Sequence, residues 1–290
     1  MKLPTERFRD ETLAPAFDRA LAGDRTALID KVRRASGLPG HRVNDGLVRA
    51  FAAECARRGA VADPLLAFLL SVHADAAPYG HVDEILPILG AAGTGARAAA
   101  DPIARGGLLE ELEEASCDER SRVRDEVSHA LAVVGTVVGA QFVSVMRHWI
   151  DHEQPYLGRA AIAALGDTEL LAVLGAEGAS ALLDAAFFRV SREHRAGRRH
   201  DAYRKLVRAL EQTPVAVVAR HPSACSVLER HAADEDEDVR GVIATILPAI
   251  KKGRAGDRAE AIAAALARTE KPSRDPRWDR LPGKRGRGKK

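Results

Sequence analysis

Apolar residues recur every three or four positions along most of the chain, which is the spacing that lines one face of an α-helix. Leu47, Phe51 and Cys55 form one such face, and residues 65–72 repeat the pattern. Alternating apolar and polar positions, which indicate β-strands, are nearly absent from the sequence. The pattern therefore predicts an all-α protein.

Glycine and proline interrupt this pattern roughly every 12 to 20 residues, and these residue types usually mark turns. The main interruptions fall at 37–40, 59, 78–80, 90–95, 135–139, 166, 175–178, 214, 222 and 253–256. Short helices joined by short turns predict helical hairpins stacked side by side, roughly six or seven in all. By this criterion Gly93 and Gly95 lie in a turn, and a helix stops at Gly135.

A repeated pattern is present in four segments, which span residues 121–135, 155–166, 200–210 and 237–247. Each segment places an arginine near the start of a helix and apolar positions after it, and these arginines are Arg124, Arg159, Arg204 and Arg240. Their separations of about 35, 45 and 36 residues are close to the length of a two-helix repeat. The longest step leaves room for an insertion, which we place at residues 189–201.

These segments resemble the HEAT-like repeat family, including its lyase-type variant in bacteria. The matching residues are Asp118, Val123, Arg124, Ala130, Leu131 and Gly135, then Pro155, Arg159, Ala160, Ala163, Leu165 and Gly166, and finally Asp234, Asp236, Val239 and Arg240. The resemblance implies a right-handed α-solenoid of stacked antiparallel helical hairpins over residues 1–269, with the clearest repeats in 118–250. It also implies that the recurring arginine bonds to an acidic or carbonyl group of the neighbouring repeat.

The positive charge of the protein is concentrated at one end of the chain. The net charge of the 290 residues is +3, yet residues 271–290 hold nine of the 44 Lys and Arg residues and only two of the 41 acidic ones. The rest of the chain is therefore net negative, with 35 basic and 39 acidic residues. Residues 270–290 offer little to bury, so we expect a disordered basic tail that can contact nucleic acid or an acidic partner.

The three cysteines are far apart and lack the CxxC spacing, which disfavours a disulfide framework or a zinc site. We therefore expect reduced thiols and a cytoplasmic location. Residues 127–146 carry no charged side chain over the length of a membrane span. The polar residues and glycines within this stretch favour two buried helices joined by a turn, so we expect no membrane association.

The densest internal run of basic residues lies at 189–205 and is interpreted as a loop. Its arginines are Arg189, Arg192, Arg195, Arg198, Arg199 and Arg204. Clustered guanidinium groups bind phosphates and carboxylates. The run is either a solvated face of the protein or a binding site for such groups.

Trp149 and two nearby histidines are the other candidate site residues. His148 and His152 lie four residues apart, a spacing at which one helix face can hold a metal ion through both rings. Deoxyhypusine hydroxylase, a HEAT-like enzyme, binds iron through repeated His-Glu dipeptides, whereas this chain has a single one at 152–153. Alkylpurine DNA glycosylases, which are also HEAT-like, place basic and aromatic residues on a concave surface, a role open to Trp149. Core packing and helix capping are the alternatives for these residues.

Sequence motifs of nucleotide-binding proteins, serine hydrolases and zinc proteases are absent from the chain. We therefore expect no cofactor, and an enzyme is less favoured than a binding protein. The leading interpretation is a non-enzymatic protein-protein interaction scaffold, which binds an acidic or extended partner on its concave face. The alternative is a nucleic-acid-associated protein that uses the tail and the 189–205 loop, or a distant relative of the alkylpurine DNA glycosylases.

Overall fold

The computed structural model describes residues 13–253 and 255–268, and all regular secondary structure in those ranges is helical, as the sequence predicts. The α-helices are α1 (Ala14–Leu21), α2 (Thr26–Ala35), α3 (Asp45–Arg58), α4 (Asp63–Leu70), α5 (Ile85–Ala100), α6 (Arg105–Ser116), α7 (Ser121–Val138), α8 (Val143–Asp151), α9 (Pro155–Ala164), α10 (Thr168–Ser191), α11 (Asp201–Leu210), α12 (Thr213–Arg220), α13 (Cys225–Ala232), α14 (Glu237–Lys252) and α15 (Gly256–Arg268). Short 3-10 helices lie at Gly59–Ala62, Val82–Glu84, Gly139–Phe142, Gly197–Arg199 and Pro222–Ala224. The predicted basic tail at 270–290 lies outside the described residues.

Helices α3, α5, α7, α9 and α11 pack side by side in chain order. Arg122 at the start of α7 donates to the carboxylate of Glu84, the residue before α5, over 2.8 Å. Gly95 within α5 lies against Ala130 within α7. Because the starts of the two helices and their middles are both in contact, α5 and α7 run parallel to each other.

The remaining helices pack against this row. Helix α4 packs on α5, α6 on α5 and α7, α8 on α9 and α10, and α10 on α12. Gly90 and Gly93 of α5 lie against Leu70 and Leu66 of α4, so α4 runs antiparallel to α5. At the C-terminal end α13, α14 and α15 pack on one another, and α12 joins them to α10 through its contact with α14.

Three glycines with positive φ angles change the direction of the chain. Gly59, Gly139 and Gly175 have φ angles of 67°, 74° and 69°, a region that residues with a β-carbon rarely adopt. At Gly59 and Gly139 an α-helix ends and a 3-10 helix leads into the next one, and at Gly175 helix α10 is kinked. The break predicted at 175–178 is confirmed, and the one predicted at 135–139 falls on Gly139.

Two predicted turns are instead the interior of helices. Gly93 and Gly95 lie inside α5, and Gly135 lies inside α7. A β-carbon on Gly95 would lie 2.5 Å from the β-carbon of Ala130, and one on Gly135 would lie 2.6 Å from a methyl group of Leu170. The interpretation of these glycines as turn residues is therefore wrong, because they allow neighbouring helices to approach closely.

Buried arginines connect helices that are distant in the chain. Arg120 is 2% exposed and donates to the carbonyl oxygens of Val72 and Ala77 over 2.8 and 2.9 Å. It also forms a bidentate pair with the carboxylate of Asp118, over 2.6 and 2.8 Å. Arg97 is equally buried and bonds to two aspartates. A buried guanidinium is stable only where such oxygen atoms satisfy its charge and its donors.

Of the arginines in the four predicted segments, one bonds to a neighbouring segment. Arg159 donates to the carbonyl oxygen of Arg124 over 2.9 Å, whereas Arg240 donates to that of Leu266 in α15, the helix that follows its own, over 3.2 Å. The side chain of Arg124 itself bonds to carbonyl oxygens in the connection before its own helix. Arg204 bonds to an aspartate of its own helix, so for these two arginines the expected partner is wrong.

Two segments are long and apolar enough to cross a membrane by length and composition alone, Ser121–Asp151 and Thr168–Ser191. Core helices of proteins that do not enter membranes meet the same criteria. Gly139 and Gly175 break the two segments. In the structure, 39% of the most apolar 18-residue stretch of Ser121–Asp151 is buried. The corresponding stretch of Thr168–Ser191 is 50% buried.

We expect Gly95→Ala to destabilise the protein although alanine is the better helix former. The added methyl group would overlap Ala130, and overpacking of this kind costs about 1–3 kcal/mol. Gly241→Ala on α14 is the matched control, because a β-carbon there meets no atom within 4 Å and should raise the free energy of unfolding by about 0.5–1 kcal/mol. Urea denaturation followed by circular dichroism measures both changes. Equal stabilisation by the two alanines would contradict the close approach of α5 and α7.

We expect Arg120→Met to lower the free energy of unfolding by about 3–5 kcal/mol, since it leaves the half-buried carboxylate of Asp118 and two backbone carbonyl oxygens without their donor. Arg204→Met is the control, because Arg204 is exposed and its pair with Asp201 is worth about 0–1 kcal/mol. The same denaturation experiment compares the two variants. If both variants lose little free energy of unfolding, Arg120 does not fix the start of α7 to the connection that follows α4.

Candidate functional site

The basic run at 189–205 is not a single loop. Arg189 lies in the last turn of α10 and Arg204 lies in α11, so only residues 192–200 connect the two helices. The prediction of an inserted loop is wrong at both ends. Arginine is a good helix former, and the helices therefore extend into the basic run from both sides.

Two of its arginines hold the end of α10 against α8 and the connection after it. Arg189 is 9% exposed and donates to the carbonyl oxygens of His152 and Glu153 over 3.3 and 3.2 Å. The exposed Arg192 pairs with Asp151 over 3.0 Å. Arg189 is thus a structural residue, and its proposed role in binding a ligand is wrong.

Arg198 fixes the α10–α11 connection to the start of α14. Its guanidinium donates to Asp236 over 2.5 Å and to Asp238 over 3.0 Å. It also bonds to carbonyl oxygens of the preceding turn. These acceptors occupy its donors, which leaves few for a ligand. Arg204 pairs with Asp201 over 3.4 Å on an exposed surface.

Arg195 and Arg199 are the two arginines of the run that remain available. Both are exposed, and neither makes an ion pair with any residue in the described part of the chain. The six candidate arginines therefore divide into three pairs: Arg189 and Arg198 stabilise the fold, Arg192 and Arg204 form exposed ion pairs, and Arg195 and Arg199 face solvent without an ion pair to a described residue. This division follows from the position of each side chain and is invisible in the sequence.

Trp149 lies in the hydrophobic core of α8 with 1% of its surface exposed, so its proposed role on a binding surface is wrong. The rings of His148 and His152 meet edge to face with centroids 6.0 Å apart. Nδ1 of His152 accepts a hydrogen bond from the amide of Gln154 over 3.0 Å, which orients this ring at the end of α8. Within residues 13–253 and 255–268 no group of three or more His, Cys, Asp or Glu side chains is placed to hold a metal ion.

A groove of about 650 Å³ crosses α7, α9 and α11, and we call it the basic groove. Small residues line much of it, namely Ala132, Ala163, Ala164, Gly166, Ala209 and Ala216. Four cationic side chains reach it, and these are Arg124, Arg159, Lys205 and Arg208. Two carboxylates oppose them, Asp125 and Asp167. The basic groove is therefore positive, whereas the chain outside the tail is net negative.

The cations of the basic groove differ in how much of their charge is already paired. Arg159 bonds to the carbonyl oxygen of Arg124, to the hydroxyl of Ser128 and to the carboxylate of Asp125. The carboxylate of Asp167 caps helix α10, because it accepts hydrogen bonds from the amides of Glu169 and Leu170 over 2.9 Å. Lys205 makes no ion pair with any described residue.

His129 adds a titratable group at the α7 wall of the basic groove. Its Nδ1 lies 3.5 Å from a carboxylate oxygen of Glu126, and this hydrogen bond raises the pKa of His129 above its usual value. The nearby charge of Asp125 acts in the same direction. The positive charge of the groove therefore increases as the pH falls through the raised pKa.

A second groove, of about 630 Å³, lies between α4 and α6 and has the opposite charge. Its acidic side chains are Asp75, Glu111, Glu114, Asp118 and Glu119, with His73 beside them. Burial raises the pKa of Glu111, and the charges of Asp63 and Glu114 raise it further. Asp118 is already paired with Arg120, so part of this negative charge belongs to the fold.

One sequence feature could have indicated the basic groove, but it lies beside the basic run at 189–205, which drew attention instead. Lys205 and Arg208 lie three residues apart on one face of α11, where a helix brings side chains together. Comparison with known proteins adds no relative that shares this arrangement, because no family model matches the chain and no curated protein matches it. The HEAT-like resemblance therefore rests on the repeat residues.

We expect one fast-reacting thiol in the native protein. Cys117 is exposed, while Cys55 and Cys225 are buried, and burial raises the pKa of both buried thiols and so suppresses the reactive thiolate. Titration with Ellman's reagent should show one fast thiol in the native state and three after unfolding. Cys117→Ser should remove the fast phase. A fast phase that survives this substitution would show that a buried cysteine is accessible.

Proposed function

We propose that the protein is a non-enzymatic interaction scaffold, which binds a protein partner in the basic groove. In this proposal the helices form a right-handed α-solenoid of HEAT-like hairpins. The side-by-side row from α3 to α11 supports that architecture. The arginine bond from Arg159 to the backbone of α7 supports it as well, because the same bond is expected between HEAT-like repeats.

The observation that carries the function is the basic groove itself. It crosses α7, α9 and α11, so one segment of a partner lying in it contacts several hairpins at once. Its alanines and glycine leave room for the side chains of that segment. Its charged and amide side chains, among them Arg208 and Gln212, supply the polar contacts that fix orientation and specificity.

The perturbed ionisable groups of α11 and of the turn before it have a structural cause and do not indicate catalysis. Perturbed groups often mark catalytic sites, but they also occur in structural ion pairs. Burial and a 2.8 Å hydrogen bond to Asp238 raise the pKa of Tyr203. The hydrogen bond to Asp236 raises the pKa of Arg198. Both side chains connect α11 and its preceding turn to α14, so these shifts have a structural cause.

A nucleic-acid-associated function is the second candidate, favoured by two exposed arginines before α11 and the half-exposed Lys205 within it. Arg195 and Arg199 are exposed and unpaired among the described residues, and Lys205 follows them. Such a surface can contact phosphates without reading sequence. Retention on DNA at low salt that is lost in Arg195→Ala/Arg199→Ala would favour this function over the scaffold.

Site-specific photo-crosslinking tests the scaffold function. A benzophenone amino acid replaces Gln212, which lines the basic groove, or Ala219, which is exposed on α12 outside it. After irradiation in cells of the source organism, we expect the Gln212 position to give a discrete adduct. Mass spectrometry should identify a single partner protein, and the Ala219 position should give no such adduct.

Three outcomes would overturn the scaffold function. Adducts of equal yield from both positions would show non-specific contact, and the absence of any adduct at Gln212 would remove the groove as a binding site. A catalytic activity of the purified protein that one point substitution abolishes would replace a scaffold by an enzyme. Thermal unfolding of both labelled proteins confirms beforehand that they are folded.

A further inference from the structure

Only part of the positive charge of the basic groove is available to a partner. Arg159 is already paired with Asp125, and its second nitrogen is held by oxygens of α7. Arg124 bonds to backbone carbonyls and is 7% exposed. Lys205 and Arg208 remain, since neither forms an ion pair or side-chain hydrogen bond with a described residue.

These two side chains project from the same wall of the groove. They lie three residues apart on α11, a spacing that brings side chains together on one helix face. Unpaired cations beside a concave surface lined by small residues provide charge complementarity for a chain that carries carboxylates. The chain outside the tail is net negative, so the groove differs in sign from its surroundings.

We propose that the occupant of the basic groove is an extended, acidic segment of a partner protein, whose carboxylates pair with Lys205 and Arg208. This inference rests on the function proposed above and specifies the chemistry of the partner. The basic segment 271–290 of this chain, or of a second copy, is excluded as occupant because its charge has the same sign as the groove.

Single-stranded nucleic acid is disfavoured as occupant by the residues that line the groove. Proteins that bind single strands stack bases on aromatic side chains, and the residues that line the groove include no Phe, Tyr or Trp. Tyr156 is engaged with the guanidinium of Arg124, which lies 4.8 Å from its ring centroid. An acidic polypeptide needs no such rings, so the lining of the groove favours it.

Fluorescence anisotropy with labelled peptides tests the inference on the full chain. The probes are a peptide of alternating Glu and Gly, its Lys and Gly counterpart, and a single-stranded oligonucleotide of equal negative charge. We expect the acidic peptide to bind more tightly than either of the others at physiological salt. Lys205→Glu/Arg208→Glu should weaken its binding about tenfold, because two attractive pairs become repulsive.

The matched control is Arg195→Glu/Arg199→Glu, which changes the net charge by the same amount at two exposed arginines outside the basic groove. We expect this variant to change the affinity less than about twofold, since neither arginine lines the basic groove and exposed charges outside it are partly screened by salt. The tail is identical in both variants, so its own attraction for acidic peptides cancels in the comparison. Circular dichroism melting confirms that both variants are folded.

Equal losses in the two variants would overturn the inference, because the effect would then follow net charge and not the groove. Tighter binding of the oligonucleotide, lost in Lys205→Glu/Arg208→Glu, would overturn it in favour of nucleic acid. If crosslinking from Gln212 identifies a partner but the acidic peptide fails to bind, the scaffold function stands and the acidic segment does not. If both experiments fail, the groove is not a binding site.

Discussion

Arginine side chains that bond to the oxygen atoms of distant segments fix how the helices of this protein are aligned around its apolar core. Arg120 ties the start of α7 to carbonyl oxygens of the chain that follows α4, and Arg189 ties α10 to the connection after α8. Each guanidinium is long and planar, and it satisfies several oxygens that a shorter side chain could not reach. Because its charge is buried, losing one set of acceptors leaves a cost that the remaining contacts do not offset. The helices can therefore present a groove on one side without losing their alignment.

The same chemistry explains why a basic sequence yields few free cations. The run at 189–205 has the charge density of a ligand site. Arg189 and Arg198, however, are hydrogen-bonded to carbonyl and carboxylate groups of the protein itself. Lys205 and Arg208, which form no ion pair with a described residue, lie on the face of α11 that lines the basic groove, next to small side chains. A cation becomes available for binding only where the fold supplies no acceptor within its reach. Charge density along the chain is thus a poor guide to charge presented at a surface.

The helical fold could be predicted from the sequence because apolar spacing depends on neighbours three or four residues away. The arginine of the second repeat segment was predictable too, since Arg159 bonds to the neighbouring helix as expected. The role of Gly95 was not, because a glycine at a turn and a glycine at a close helix contact look alike until the opposing Ala130 is known. The groove escaped prediction for a related reason. Its walls come from α7, α9 and α11, and no local pattern reports which side chains face one another across them.

The close packing of α5 imposes a constraint on side-chain size that the surface of α11 does not share. Gly90, Gly93 and Gly95 each face an atom of another helix at a distance that leaves little or no room for a β-carbon. A larger residue at Gly90 would press on α4, one at Gly93 on α3 and α4, and one at Gly95 on α7, so we expect selection to hold these positions nearly invariant. The exposed face of α11 has no such constraint, and charge substitutions there leave the helix contacts intact. Substitutions on α11 can therefore change the charge of the basic groove while the helix contacts around α5 stay fixed.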